Sequence, residues 1–346
     1  MSRRLCLLAA VGLLLPGPVE AQVRRDEQFY YPGAFNWTFL RNFPEAGRLF
    51  NAFDYGHSVL YEILYARPTA PTALLEQEEF DYLTRDLLIR PPRFAIAEEA
   101  VAPAYAKLAW PAKQMFDRAH ILHRQIYDVY ADDRLSDSTK FALVERLTDW
   151  YLLDREYAFV AVPKDMALMD EQYYSKAFRV RYPKFNGLIW AYHWLQVGLY
   201  EPLLTGSVPA ERKAGVKAAL ARFWSMLVEP PLRLPAVMPM TSAIAPTFAR
   251  RHPRAAIIFD NLHMMHDIIS DVLVSEQVPR GRKRAVIDSA LAEFRDPERN
   301  VIGLDHWYMM ADHMGGVELM GGSAANLVQV IKAPAHPADR PPPAHP

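Results

Sequence analysis

Apolar residues recur at three- and four-residue intervals over most of the chain, a period that predicts helices. Across residues 113–131, Met115, Ala119, Leu122, Ile126 and Val129 form one stripe, with Asp117, Arg124 and Asp128 opposite. Residues 138–160 and 210–228 repeat the pattern. Residues 257–274 are apolar around most of the helical circumference, as in a central, enclosed helix. Prolines, among them Pro68, Pro71, Pro91, Pro92, Pro163, Pro183, Pro230, Pro231 and Pro253, fall between these segments rather than within them. Alternating runs bounded by hairpin signals are scarce. The expected fold is all-α: a single large helical bundle, or an array of helix-pair repeats, around a central buried helix, with little or no sheet. Residues 229–246 are Pro-rich, but Leu232, Leu234, Val237, Met238, Met240 and Ile244 suit a loop packed across the surface better than a solvated tether.

The chain ends are expected to stand apart from this body. Arg3 and Arg4 precede an apolar run over residues 5–15, and Val19-Glu20-Ala21 offers a cleavage site. Residues 1–21 therefore read as a signal peptide, with export to the periplasm or the medium. The apolar run is too short to span a bilayer, which takes about 20 residues. Residues 22–332 form one helical domain in this reading, and the Pro-rich residues 333–346 a disordered tail. Cys6, the single cysteine, lies in the segment expected to be removed. The mature chain then has no disulfide, no thiolate ligand, no Cys nucleophile and no CxxCH site for haem attachment. A formal charge of −1 excludes a global basic field for nucleic acid. The basic run Arg280-Gly281-Arg282-Lys283-Arg284 lacks interleaved aromatics and reads as a solvated face.

The main chemical signal is a repeated pentad. Phe53-Asp54-Tyr55-Gly56-His57, Phe116-Asp117-Arg118-Ala119-His120 and Phe259-Asp260-Asn261-Leu262-His263 share Phe-Asp-x-x-His, each with Ile six residues after the His. Chance from this composition gives ~0.03 copies, so three are not noise. The second and third copies extend to His123 and His266, then to Asp128-Val129 and Asp271-Val272. His193 is a candidate fourth member, and a helix-pair unit of roughly 60 to 70 residues is suggested. Asp and His at i, i+3 share one helical face, and His-x-x-His adds a second imidazole beside them. At about 100° per residue, the His pair lies nearer the apolar stripe than the Asp does. Two metal arrangements follow. Either Asp54, Asp117 and Asp260 are ligands with His57, His120, His123, His193, His263 and His266, or the Asp residues orient those imidazoles from behind. The competing reading is structural: Asp and His pair locally while Phe and Ile pack the repeats.

Asp305-His306 and Asp312-His313 place His306 and His313 on one side of a helix two turns apart, as candidates to line a cofactor pocket. No His-Glu-x-x-His, Walker loop, EF-hand loop or Gly-x-Ser-x-Gly elbow is present. The sequence thus suggests an exported helical metalloprotein, a non-haem and possibly dinuclear oxidoreductase acting on a small, mostly apolar substrate. Iron is the favoured metal, with copper (given Met264, Met265, Met309, Met310 and Met314), zinc or non-covalent haem as rivals. The alternatives are a non-enzymatic haem or copper carrier, and a repeat scaffold whose pentads only pack. No nucleic-acid partner and no membrane span in the mature chain are expected, and the oligomeric state is left open.

Overall fold

Proline sets the joints of this fold. The computed structural model describes residues 37–95 and 97–332; the expected signal peptide and Pro-rich tail lie outside the described residues. The longer helices are α1 (Pro44–Ala66), α2 (Trp110–Ala131), α3 (Asp137–Leu153), α4 (Pro183–Gly198), α5 (Pro209–Met226), α6 (Pro253–Val274) and α7 (Lys283–Arg295). No strand occurs among the described residues; Lys164 and Val301 form an isolated bridge. The fold is all-α, as the periodicity requires.

Phe43, Tyr182 and His252 precede the prolines that open α1, α4 and α6, with φ between −135° and −133° and ψ between 61° and 68°. A residue before proline is driven out of the α region, so the short helices Thr38–Asn42, Ala177–Arg181 and Pro246–Arg251 stop there. Proline at the first position of the next helix then loses only an N–H that had no helical partner. Helix α3 ends at Leu153, earlier than the periodicity over residues 138–160 suggests. The reason is Asp154, whose carboxylate accepts from the Glu156 and Tyr157 amides and folds the chain into a turn.

Hydrogen bonds reveal a repeat larger than the pentad spacing implied. Asp128 accepts from the Trp37 and Phe39 amides at 3.1 and 2.8 Å, capping Thr38–Asn42. Asp271 accepts from the Lys176 and Phe178 amides, both at 2.7 Å, capping Ala177–Arg181. Trp37 and Lys176 are both left-handed, at φ 60° and 67°. Glu62 accepts from Ala104 at 2.9 Å and Glu201 from Thr247 at 3.0 Å, tying down Pro103–Leu108 and Pro246–Arg251. Position 62 therefore corresponds to 201 and position 128 to 271. The duplicated unit is about 140 residues, not 60 to 70, and pairs α1 and α2 with α4 and α6. The first pentad sits on α1, whose counterpart is α4, so it is not equivalent to the other two.

α1, α2, α4 and α6 contact one another in the interior, with α3 along α2 and α7 along α6. α6 is buried without interruption from Ala255 to Leu273, as expected of the central helix. Each fully enclosed apolar side chain here contributes roughly 1.5–3 kcal/mol. Polar residues on this helix therefore call for a physical reason. Residues 229–246 pack across the body only in part: Leu234, Met238, Met240 and Ile244 are buried and Thr241 bonds to Asp260, whereas Leu232 stands exposed to solvent. The basic run is used for fastening. Lys283 Nζ reaches the Val272 carbonyl at 2.6 Å, and Arg280 donates to the Tyr65 carbonyl, also at 2.6 Å. No described helix is long and apolar enough to cross a membrane.

Candidate metal centre

Six histidines from the four interior helices come together: His57 from α1, His120 and His123 from α2, His193 from α4, and His263 and His266 from α6. All are at most 2% exposed. His57, His193 and His266 are the tightest group, with one ring nitrogen from each lying within 4.8 Å of the others. Their ring centroids are 4.5 to 5.1 Å apart. His57 Nε2 stands 3.0 Å from His193 Nε2, and His266 Nδ1 stands 2.9 Å from that same atom.

The tautomers of this trio can be worked out. His57 Nδ1 lies 2.7 Å from the Phe53 carbonyl, which can only accept, so Nδ1 carries the hydrogen. The neutral ring then presents a bare lone pair at Nε2. If His193 Nε2 carries a hydrogen, it can point squarely at His57 or at His266, not both. If it carries none, it faces the His57 lone pair directly. No neutral assignment gives both close contacts a linear hydrogen bond. A cation accepting all three lone pairs removes the conflict. Nitrogens about 2.0–2.1 Å from a tetrahedral metal are roughly 3.3 Å apart; the two close contacts here are 3.0 and 2.9 Å, and the third pair lies within 4.8 Å.

Burial also keeps the imidazoles neutral, the form that binds metals. His57 is pushed down to about 4, first by burial and then by His120, against the opposing Phe53 hydrogen bond and Asp54. Burial, reinforced by neighbouring imidazoles, holds His123, His193, His263 and His266 well below the ordinary value. His120 is lowered less sharply, because Asp54 offsets part of its burial.

The aspartates divide. Asp54 belongs to the cluster: Oδ1 lies 3.3 Å from His120 Nδ1, and the other oxygen pairs with Arg124. Asp117 is turned to Lys113, 2.5 Å away, which also meets Glu99. Asp260 accepts from Thr241 N and Oγ1 and from Trp307 Nε1. Asp117 and Asp260 are thus fixed by structural partners outside the imidazole cluster. His306 and His313 do share one side of the helix Leu304–His313, with rings 5.1 Å apart. Both are exposed, and they take no part in the buried cluster.

Sequence reasoning missed several neighbours. Tyr200 Oη lies 2.8 Å from His123 Nδ1, and Arg124 neutralises Asp54. Gln196 has both side-chain amide atoms buried without a hydrogen-bond partner. His193-x-x-Gln196 has the same helical spacing as Asp54-x-x-His57, a signal that was available in the sequence. Aromatic rings wall the cluster in matched pairs: Phe116 meets His266 at 4.1 Å, and Phe259 meets His123 at 3.4 Å. No protein-family model matches this chain, and comparison with curated proteins and with solved structures also gives no match.

Proposed function

We propose that this protein is a redox metalloprotein that carries a first-row transition metal on His57, His193 and His266. The observation that carries this reading is the trio itself: three neutral, fully buried ring nitrogens whose close contacts cannot all be hydrogen bonds. Imidazole suits iron, copper, nickel and zinc. With Asp117 and Asp260 engaged elsewhere, carboxylate donors are scarcer than the pentads suggested, which moves the preference from iron toward copper. Haem fits poorly, because His193 lies nearly parallel to His57 at 5.1 Å and to His263 at 4.0 Å, leaving no slot for a macrocycle between them.

A bound metal of this kind would supply electron transfer to or from a small molecule. The chain's own residues set the conditions for it. Phe53 fixes the His57 tautomer through its carbonyl, Asp54 and Arg124 hold His120, and Phe50, Phe116, Phe259 and Tyr192 keep bulk water away. Surroundings this closed and aromatic favour a small, mostly apolar reaction partner over a large or charged one. The test is metal analysis of full-length protein made without a His tag, beside His193→Ala. Wild type should retain metal through dialysis, and His193→Ala should lose most of it while keeping its far-UV helical signal. Metal-free wild type from every growth supplement, or full retention by His193→Ala, would overturn the reading.

A further inference from the structure

Resting on the reading of a redox metal at His57, His193 and His266, we infer that Tyr130 is a redox-active tyrosine which, with His252 and Glu145, passes single electrons between that centre and the surface. The need for a route comes from burial. All three ligands are at most 2% exposed and walled by aromatic rings, so an electron donor in solvent has no direct contact with the metal. Tyr130 lies near the end of α2, Glu145 on α3, and His252 at the joint before α6. The Tyr130 hydroxyl is 2.6 Å from His252 Nε2, and His252 Nδ1 is 2.8 Å from Glu145. Burial lifts the Tyr130 phenol above its ordinary value and lowers His252, so both start neutral. The Glu145 carboxylate can only accept, so His252 Nδ1 carries the ring hydrogen, Nε2 is bare and Tyr130 donates to it. Losing one electron makes a phenol strongly acidic, and the loss is easiest where a positioned base already waits for the proton.

Other interior tyrosines lack such a base. Tyr61 and Tyr127 give their hydroxyls to the His266 and Gln196 carbonyls, which do not take up protons, and the Tyr105 and Tyr192 hydroxyls are buried without a partner. Tyr200 is built like Tyr130, its hydroxyl meeting His123 Nδ1 at 2.8 Å. Rings join the two places to the trio. His193 stacks on His263 at 4.0 Å, His263 faces His123 at 6.3 Å, and Tyr200 stacks on Phe248 at 3.9 Å. Phe248 is 5.7 Å from His252, which stacks at 5.1 Å on Phe141, itself 41% exposed. The oxidant is of the peroxide class and reacts at the buried metal. Each electron it gains by this route leaves the Tyr130 ring; the phenolic O–H bond breaks, and the proton forms an N–H bond at His252 Nε2. Glu145 offsets the imidazolium charge. A one-electron donor at the Phe141 surface refills the neutral tyrosyl radical, and the proton returns to the phenolate oxygen.

The experiment loads the full-length chain with Cu(II), dialyses it, adds hydrogen peroxide and records electron paramagnetic resonance after freeze-quenching. A tyrosyl radical is the expected result, lost in Tyr130→Phe. It should fall several-fold in Glu145→Gln, which keeps an acceptor for His252 but not the charge. Copper content should match wild type in both variants, and Tyr173→Phe, at an exposed tyrosine, should leave the signal unchanged. A radical that survives Tyr130→Phe, keeps its yield in Glu145→Gln or disappears in Tyr173→Phe would overturn the relay. So would copper-loaded wild type that forms no radical, with the metal trio left standing. Protein that holds no copper, the tightest-binding of these divalent metals, would sink both. Should Tyr130→Phe fail to fold, as far-UV circular dichroism would reveal, Glu145→Gln at its half-buried position on α3 still decides.

Discussion

Asp260 and His263 stand three residues apart on α6 yet meet different surroundings. Asp260 takes three donors from Thr241 and Trp307, and His263 has none. Asp260→Asn would turn one acceptor into a donor facing one of those groups, costing about 1–3 kcal/mol. Denaturant unfolding should register that loss with metal content unchanged; metal loss in a folded variant would instead make Asp260 a ligand. The buried imidazoles give a second expectation for the metal-free chain. His57 titrates near 4 when folded and near 6.5 when unfolded, so the unfolded chain takes up its proton first. Its contribution to stability is complete above about pH 6.5 and is lost as the pH falls toward 4, a difference of roughly 3 kcal/mol. Asp260, Asp117 and Asp271, raised by burial to about 7, 6 and 6, work in the opposite sense, so the comparison is chelated wild type against His57→Gln: the variant should lose less stability between about pH 6.5 and pH 4. The same pH dependence in both proteins would mean that the His57 ring is not held neutral.

At the level of elements, paired carboxylates fasten each short helix to a long one. Asp128 and Asp271 each serve two backbone amides, and removing either strands both donors. Asp128→Ala and Asp271→Ala should each cost about 1–3 kcal/mol, with faster amide exchange confined to Thr38–Asn42 and Ala177–Arg181 respectively. Exchange that quickens evenly over the whole chain would contradict this local role. The helices themselves were legible in the sequence, because burial of α6 on every side and the stripe on α2 follow directly from residue spacing. The capping pairs were not. Asp128 lies some ninety residues from the amides it binds, and nothing local marks such a partner. The early end of α3 was equally hidden, since Asp154 competes with an apolar period that runs on past it.

Across the whole molecule, the convergence of six imidazoles follows from the duplication. Two copies of one helical unit bring α1 and α4 against α2 and α6, and the histidines meet where the copies meet. The pentad pointed to histidines that the fold brings together but to the wrong unit length, because Asp54-x-x-His57 on α1 resembles α2 in sequence while matching α4 in space. Its aspartates were over-read for the same reason: Asp117 and Asp260 keep the motif but serve Lys113 and Trp307. Metal bound only by the folded chain must stabilise it, by about 2.7 kcal/mol at a hundredfold excess over Kd. Stripping the metal should therefore lower Tm, and adding it back should restore the original value. The most direct measurement is X-ray absorption at the metal edge of protein purified without a His tag. The expected spectrum has a light-atom shell with the multiple scattering of several imidazoles. A folded, metal-free protein, or a shell of oxygen or sulfur without imidazole scattering, would contradict a metal on His57, His193 and His266.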